Sequence, residues 1–250
     1  MSISIGNIPI SLFNESEVER EIDEVIKNNT IKLILNSNAH LIYLANSSNK
    51  WLIDVFNSDK TEVFCDGRSV ILLAKLFKKK VPEKITYNIW IHNLLSYLNK
   101  NNYSLFLLGS SESVSQKSCE IINEKYPNVK LMAHNGYFDK NNDSEENILV
   151  VKNINHFNPN VLLVCFGMPL QEKWILENKN SLNANVYLTG GAALDYFTGN
   201  FKMTPKLWDK LYLEWFYRLL QDPKRLWKRY TIGNLGFIYY SLKAFLKKNA

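Results

Sequence analysis

Short apolar runs bounded by turn formers alternate, through position 200, with longer stretches whose apolar residues recur at helical spacing. The short runs predict strands at 32–35, 41–45, 62–66, 104–108, 129–133, 161–166 and 186–188. Most are apolar at nearly every position, as in Val161-Leu-Leu-Val-Cys-Phe166, which suits strands buried on both faces. Helices are predicted at about 15–28, 47–58, 68–79, 88–101, 112–126, 144–156 and 170–181. Asn14 with Glu17 reads as a capping box, and Ser110 or Ser111 can cap the helix after Gly109. This alternation predicts an α/β fold, a Rossmann-like and largely parallel sheet with helices on both faces. From Thr204 onward only helical pattern remains. One helix is expected over about 204–221, and another from Asp222-Pro223 to about 246 with a break at Gly233 or Gly236. The expected organisation is a body over 1–200 and a helical appendage over 201–250.

Composition narrows the class. The chain has 250 residues, 46% of them hydrophobic, with only three Cys, which excludes a disordered chain, a collagen and a disulfide scaffold. No run reaches the ~18 uninterrupted apolar positions of a membrane span. Met1-Ser2-Ile3-Ser4-Ile5 lacks the cationic start of a secretory signal, so a cytoplasmic chain is expected. Cys65, Cys119 and Cys165 form no C-x-x-C pair and read as reduced thiols. The four His are scattered and no Asp-x-Asp occurs, so neither a protein metal site nor a cofactor is expected.

Charge is unevenly placed. The formal charge is +6, yet residues 202–250 hold eleven Lys/Arg against three acids, which leaves the rest of the chain slightly acidic. Residues 201–250 also hold twelve of the 32 aromatics. Such a segment suits phosphate, nucleic acid or a membrane surface, and it also describes a solvated basic helix pair with core aromatics. Arg225, Lys228 and Arg229 are spaced to share one helical face.

In open α/β sheets ligands gather beyond the carboxyl ends of strands, so residues just after each run are the candidates for chemistry. Asn46 follows one run, and Asp66-Gly67 ends another with a carboxylate. Gly167-Met168-Pro169-Leu170-Gln171-Glu172 and Gly190-Gly191-Ala192-Ala193-Leu194-Asp195 each lead into a helix whose free N–H groups could face an anion. Turn geometry alone accounts for any one of these segments. Gly109-Ser110-Ser111 lacks a full G-x-G-x-x-G and supports no dinucleotide site.

Their order is more specific than any member. Asn46, Asp66-Gly67, Leu107-Leu108-Gly109, His134 to Phe138, the G-x-P-x-Q-E segment Gly167–Glu172, Gly190-Gly191, Asp195 and Glu214-Trp215-Phe216-Tyr217-Arg218-Leu219 follow one another over about residues 32–231. Together they resemble the WecG/TagA/CpsF family of bacterial glycosyltransferases. The resemblance implies transfer of an N-acetylmannosamine-type sugar, or its uronic acid, from a UDP-sugar donor to a polyprenyl-diphosphate-linked acceptor. It implies inversion at the sugar, no metal, and action as a peripheral protein on the inner face of the cell membrane, in capsule, exopolysaccharide or wall-polymer synthesis. By resemblance Asp66 is the catalytic base. Asn46, Lys84, Gln171, Glu172, Gly167, Gly190, Gly191 and Asp195 fall on substrate-binding positions. Arg218, Arg225, Lys228 and Arg229 face the acceptor diphosphate or an anionic membrane surface. A homo-oligomer is compatible with this reading, whereas a nucleic-acid partner is not part of it; a basic nucleic-acid-binding protein or a non-catalytic family member is the alternative. Leu44, Lys84 and Tyr87-Asn88-Ile89 depart from the family pattern in what should be the sugar pocket.

Overall fold

The computed structural model describes residues 2–249. An N-terminal hairpin, β1 (Ser2–Ile5) and β2 (Ile8–Ser11), precedes α1 (Glu15–Lys27). Next come β3 (Lys32–Ser37), α2 (Ala39–Asn46), α3 (Trp51–Phe56), β4 (Thr61–Cys65), α4 (Arg68–Leu76) and α5 (Tyr87–Asn101). The second half of the body contains β5 (Ser104–Gly109), α6 (Glu112–Lys125), β6 (Lys130–His134), α7 (Glu145–Phe157), β7 (Val161–Cys165), α8 (Leu170–Asn178), β8 (Val186–Thr189) and α9 (Ala193–Phe197). Four helices close the chain: α10 (Lys206–Lys210), α11 (Glu214–Gln221), α12 (Pro223–Tyr230) and α13 (Ile232–Asn249).

The main sheet has six parallel strands in the order β4-β3-β8-β7-β5-β6. Successive strand residues point to opposite faces, and both faces are apolar. Leu33, Leu35, Phe106, Leu108, Leu162, Val164 and Tyr187 join α2, α3, α4, α7 and α8 on one side. Ile34, Leu105, Leu107, Leu163 and Leu188 join α1, α5, α6 and α9 on the other. The expected caps are present: Asn14 and Glu17 form a reciprocal capping box, Ser111 caps α6, and Asp222 caps α12 ahead of Pro223.

Three local expectations are corrected. Residues 41–45 are helical rather than extended. β3 runs on to Ser37, and the Asn38 side chain then accepts the N–H of Leu41 at 3.1 Å, starting α2 with Leu41, Ile42 and Ala45 buried on one face. The helix expected over 204–221 is split at Tyr212, whose φ of 62° brings its ring to 5.0 Å from the Arg68 guanidinium. The last break falls at Thr231, ahead of both glycines. Gly236 lies inside α13, where the Tyr43 ring of α2 sits against its backbone and leaves no room for a side chain.

That contact shows how the C-terminal helices are mounted. α13 lies along α2 and touches β1, Phe237 is buried in the core beside α2, and Phe245 stacks on Phe77 at 4.2 Å. The packing of residues 232–245 is therefore shared with the body. Gly236→Leu is expected to lower stability by about 1–3 kcal/mol, the usual cost of forcing atoms into a filled contact. Chemical denaturation reads it; an unchanged midpoint would mean the Tyr43 ring swings aside freely.

Candidate active site

The carboxyl ends of β3, β4, β7 and β8 open into one cleft. Asn36, Asn38, Asp66, Gly167, Gly190 and Gly191 form its floor, and α11 and α12 cover it with Arg218, Arg225 and Arg229.

Asp66 stands directly after β4, and its backbone N–H donates to Ser37 O at 2.8 Å. Its Oδ2 accepts from Asn36 Nδ2 at 3.1 Å, and Asn36 Oδ1 in turn accepts from Thr189 Oγ1 at 3.1 Å. Burial pushes the Asp66 carboxyl above its ordinary value, Glu214 adds to the rise, and Arg218, Asn36 and Lys84 restrain it. A carboxylate moved toward neutrality while still facing cations suits proton acceptance.

The opposite wall is cationic. Arg218 Nη2 donates to Glu214 Oε1 at 2.6 Å, while its Nε is buried without a partner. Arg229 makes no ion pair among the described residues, and burial lowers its pKa. Beside it, His40 is held at about 3, first by burial and then by Arg229, so the ring is neutral, and its buried Nδ1 has no partner. Unpaired donors and a guanidinium without an acceptor are costly unless an anion completes them.

A second ion network fastens this wall to the body. Arg68 pairs with Asp209 at 2.5 Å, and Lys84 reaches Asp209 at 3.2 Å and Glu214 at 2.8 Å. Arg68 holds Asp209 at about 2. Burial alone would raise Glu214, but Arg218 and Lys84 bring it below its ordinary value. Lys84 therefore lies beneath the cleft, engaged by carboxylates of α10 and α11, and does not line it.

Other expected positions sit elsewhere. Asn46 ends α2, about 9 Å along the helix from His40 of the cleft, where its Nδ2 donates to Gly6 O at 2.5 Å and Ile42 O at 2.9 Å. It ties the hairpin to α2, and its expected place after a strand is corrected. Asp195 accepts from Ser110 at 2.9 Å and Asn200 at 2.8 Å, joining two loops outside the cleft lining. Lys228 lies outside as well. It is about 100° around α12 from Arg229, and its ammonium is 5.6 Å from the Trp227 ring. Gln171 is fully buried under the floor, where Oε1 accepts the N–H of Gly167 at 3.1 Å and of Gly191 at 3.0 Å. Both glycines have left-handed φ, 84° and 59°, and Gln171 thus hangs two cleft loops from one amide. Its Nε2 donates to Glu172 Oε1 at 2.8 Å, and Glu172, also buried, leaves Oε2 unpartnered and is pushed up to about 7 by burial.

Asn36, Asn38, His40 and Arg68 line the cleft and went unnoticed in the sequence, whereas Tyr87 and Asn88, marked there as departures from the family pattern, line it as well. The signal for the first three was the polar Asn36-Ser37-Asn38 step closing an apolar run, the same strand-end rule that marked Asp66. Among the described residues no group of three or more His, Cys, Asp or Glu could hold a metal.

Comparison with known proteins places this geometry. The chain matches the family model described as "Glycosyl transferase WecG/TagA/CpsF family" over residues 3–250. Two similar curated proteins come from Staphylococcus aureus strains MW2 and MRSA252. Each is an N-acetylglucosaminyldiphosphoundecaprenol N-acetyl-beta-D-mannosaminyltransferase, 27% identical over 215 residues, covering 86% of this chain and 82% of the relative.

The buried Glu172 generates a pH prediction. A carboxyl raised to about 7 on folding contributes stability that is complete below its unfolded pKa near 4.5 and is lost as pH rises through 7. Glu172→Gln should remove that decline, leaving a variant that loses less stability than wild type between pH 5 and pH 8. Denaturant midpoints at the two pH values read the difference; parallel curves would show that Glu172 is already ionised when folded.

Proposed function

The chain belongs to the WecG/TagA/CpsF family of glycosyltransferases, and on that premise we propose that it moves an N-acetylmannosamine-type sugar, its uronic acid or a related hexose from a UDP donor to a polyprenyl-diphosphate-linked glycan, with inversion and without a metal. The proposed acceptor class follows the named activity of the Staphylococcus aureus relatives. The observation that supports this reading most is the half-buried carboxylate of Asp66 facing a wall of arginines, of which Arg218 keeps an unpartnered Nε and Arg229 makes no ion pair among the described residues.

That pairing suits a one-step displacement. The acceptor hydroxyl oxygen attacks C1 of the sugar as Asp66 takes its proton. The new C1–O bond forms while the C1–O bond to the diphosphate breaks, and UDP leaves with the electron pair. One base suffices, and no second nucleophilic carboxylate is needed. Negative charge growing on the leaving diphosphate is met by Arg218, Arg225 and Arg229. Guanidinium forks fit phosphate oxygens in pairs.

The C-terminal helices suit a membrane-borne acceptor. No helix among the described residues is long and apolar enough to cross a membrane. Leu207, Leu211, Leu220, Trp227, Leu235 and Leu246 are nonetheless exposed on the segment that carries the basic surplus. Exposed apolar and cationic side chains together suit peripheral docking at a headgroup surface. We place the enzyme there, on the cytoplasmic side, in assembly of a capsule, exopolysaccharide or wall polymer.

Two measurements test this. With UDP-N-acetylmannosamine and a short-chain polyprenyl-diphosphate-linked N-acetylglucosamine, wild-type transfer should survive EDTA. Asp66→Asn should lose about 10²–10⁴-fold in turnover while UDP still raises its melting temperature. Near-normal turnover in the variant would remove Asp66 from the mechanism. Wild-type protein should also sediment with anionic vesicles at low salt and release as salt rises, since each surface cation contributes about 1 kcal/mol; indifference to anionic lipid would sink the docking surface.

A further inference from the structure

The geometry assigns Asn36 and Thr189 to the reaction as positioning residues, a two-step hydrogen-bond relay that fixes the carboxylate of Asp66 in its proton-accepting orientation. The assignment rests on the reading of Asp66 as the base.

Asn36 is an amide inside a parallel strand, only 4% exposed, where the sheet otherwise places apolar side chains. An Asn amide can present either its oxygen or its nitrogen to a neighbour. Here an ionised Asp66, which can only accept, turns the NH₂ toward itself, and Thr189, fully buried at the end of β8, completes the amide by donating its hydroxyl to Asn36 Oδ1 at 3.1 Å. With the oxygen occupied, the NH₂ faces Asp66 Oδ2 at 3.1 Å. The reverse orientation would set two oxygens against each other and favours a protonated acid. The relay thus fixes which carboxylate oxygen is tied down. Oδ1 accepts nothing from the described protein and is left for the acceptor hydroxyl.

No substrate contact is needed for Thr189 to matter, because it lies outside the cleft lining. Its effect has to pass through Asn36. Other charged groups around Asp66 come from separate elements: Arg218 and Glu214 from α11, Arg229 from α12, and Lys84 ahead of α5. Cys65 and Tyr87, also near Asp66, are both pushed upward by burial and stay neutral. None of these substitutes for a neutral donor aimed at one oxygen.

The test is the pH profile of kcat for Asn36→Leu, Thr189→Val and Thr189→Ser, using the donor and acceptor named above, with UDP-induced thermal shift confirming that each variant is folded. Removing a donor that favours the carboxylate raises the pKa of Asp66, so ionisation requires higher pH. In Asn36→Leu the acid limb should move up by about one unit and kcat should fall about tenfold or more. Thr189→Val should move the limb in the same direction by less, with the donor KM unchanged, and Thr189→Ser should restore the wild-type profile. Thr189→Val is isosteric and carries the test alone should Asn36→Leu fail to fold. Unmoved acid limbs in these variants, with Asp66→Asn inactive, would overturn the relay and leave the base intact. An active Asp66→Asn would instead overturn the base itself, and the relay with it.

Discussion

A buried carboxylate needs compensation, and in this protein most of it arrives from the far end of the chain. Asp66 closes a strand in the body, yet Arg218 and Arg229 belong to helices formed more than a hundred residues later. Desolvation of the acid is tolerable only if those helices are seated, and burial of their guanidiniums is tolerable only opposite negative charge. The site is therefore a joint between two parts of the sequence. Arg68, Asp209, Lys84 and Glu214 brace the joint with alternating charge, and α13 anchors it by packing on α2.

This dependence explains which features could be read from the sequence. The six-stranded body was legible because its inner strands are apolar on both faces and the connections carry a helical period. Asp66, Gly167 and Gly190-Gly191 were legible by the strand-end rule, Arg218 by motif order, and Arg225 and Arg229 by charge and spacing, which also marked Lys228 although it lies outside the cleft. The 41–45 run was misread because its apolar residues are nearly continuous, a pattern that fits a buried strand and a short core helix equally. The error propagated: it put Asn46 at a strand end and left Asn36-Ser37-Asn38, just past the run predicted at 32–35, as a plain connection between two strands. The hairpin was available in the alternation Ser2-Ile3-Ser4-Ile5 and Ile8-Pro9-Ile10-Ser11 around Gly6-Asn7, both of which adopt positive φ.

Gln171, Glu172, Lys84 and Asp195 show a different limit. Motif order marked them as belonging to the site but could not say how. All four act from behind the surface: Gln171 suspends two loops, Lys84 binds the carboxylates of the covering helices, and Asp195 joins Ser110 to Asn200. A linear motif records that a residue type is required at a place. It does not distinguish a side chain that touches the ligand from one that holds the backbone that does.

The mounting of α13 has a consequence for biosynthesis. Domains generally organise from the N-terminus as the chain emerges from the ribosome, but here the hairpin and α2 share their core with Phe237, which is made long after them. Until those residues emerge, Ile42 and Tyr43 lack a cover, and Asp66 lacks the cations that face it. A nascent chain can assemble its sheet, but neither the charge balance of its cleft nor the apolar and basic surface of its helices exists until residues 206–249 have been made. The cleft and the exposed apolar and basic surface of the helices that cover it are completed in the same late step.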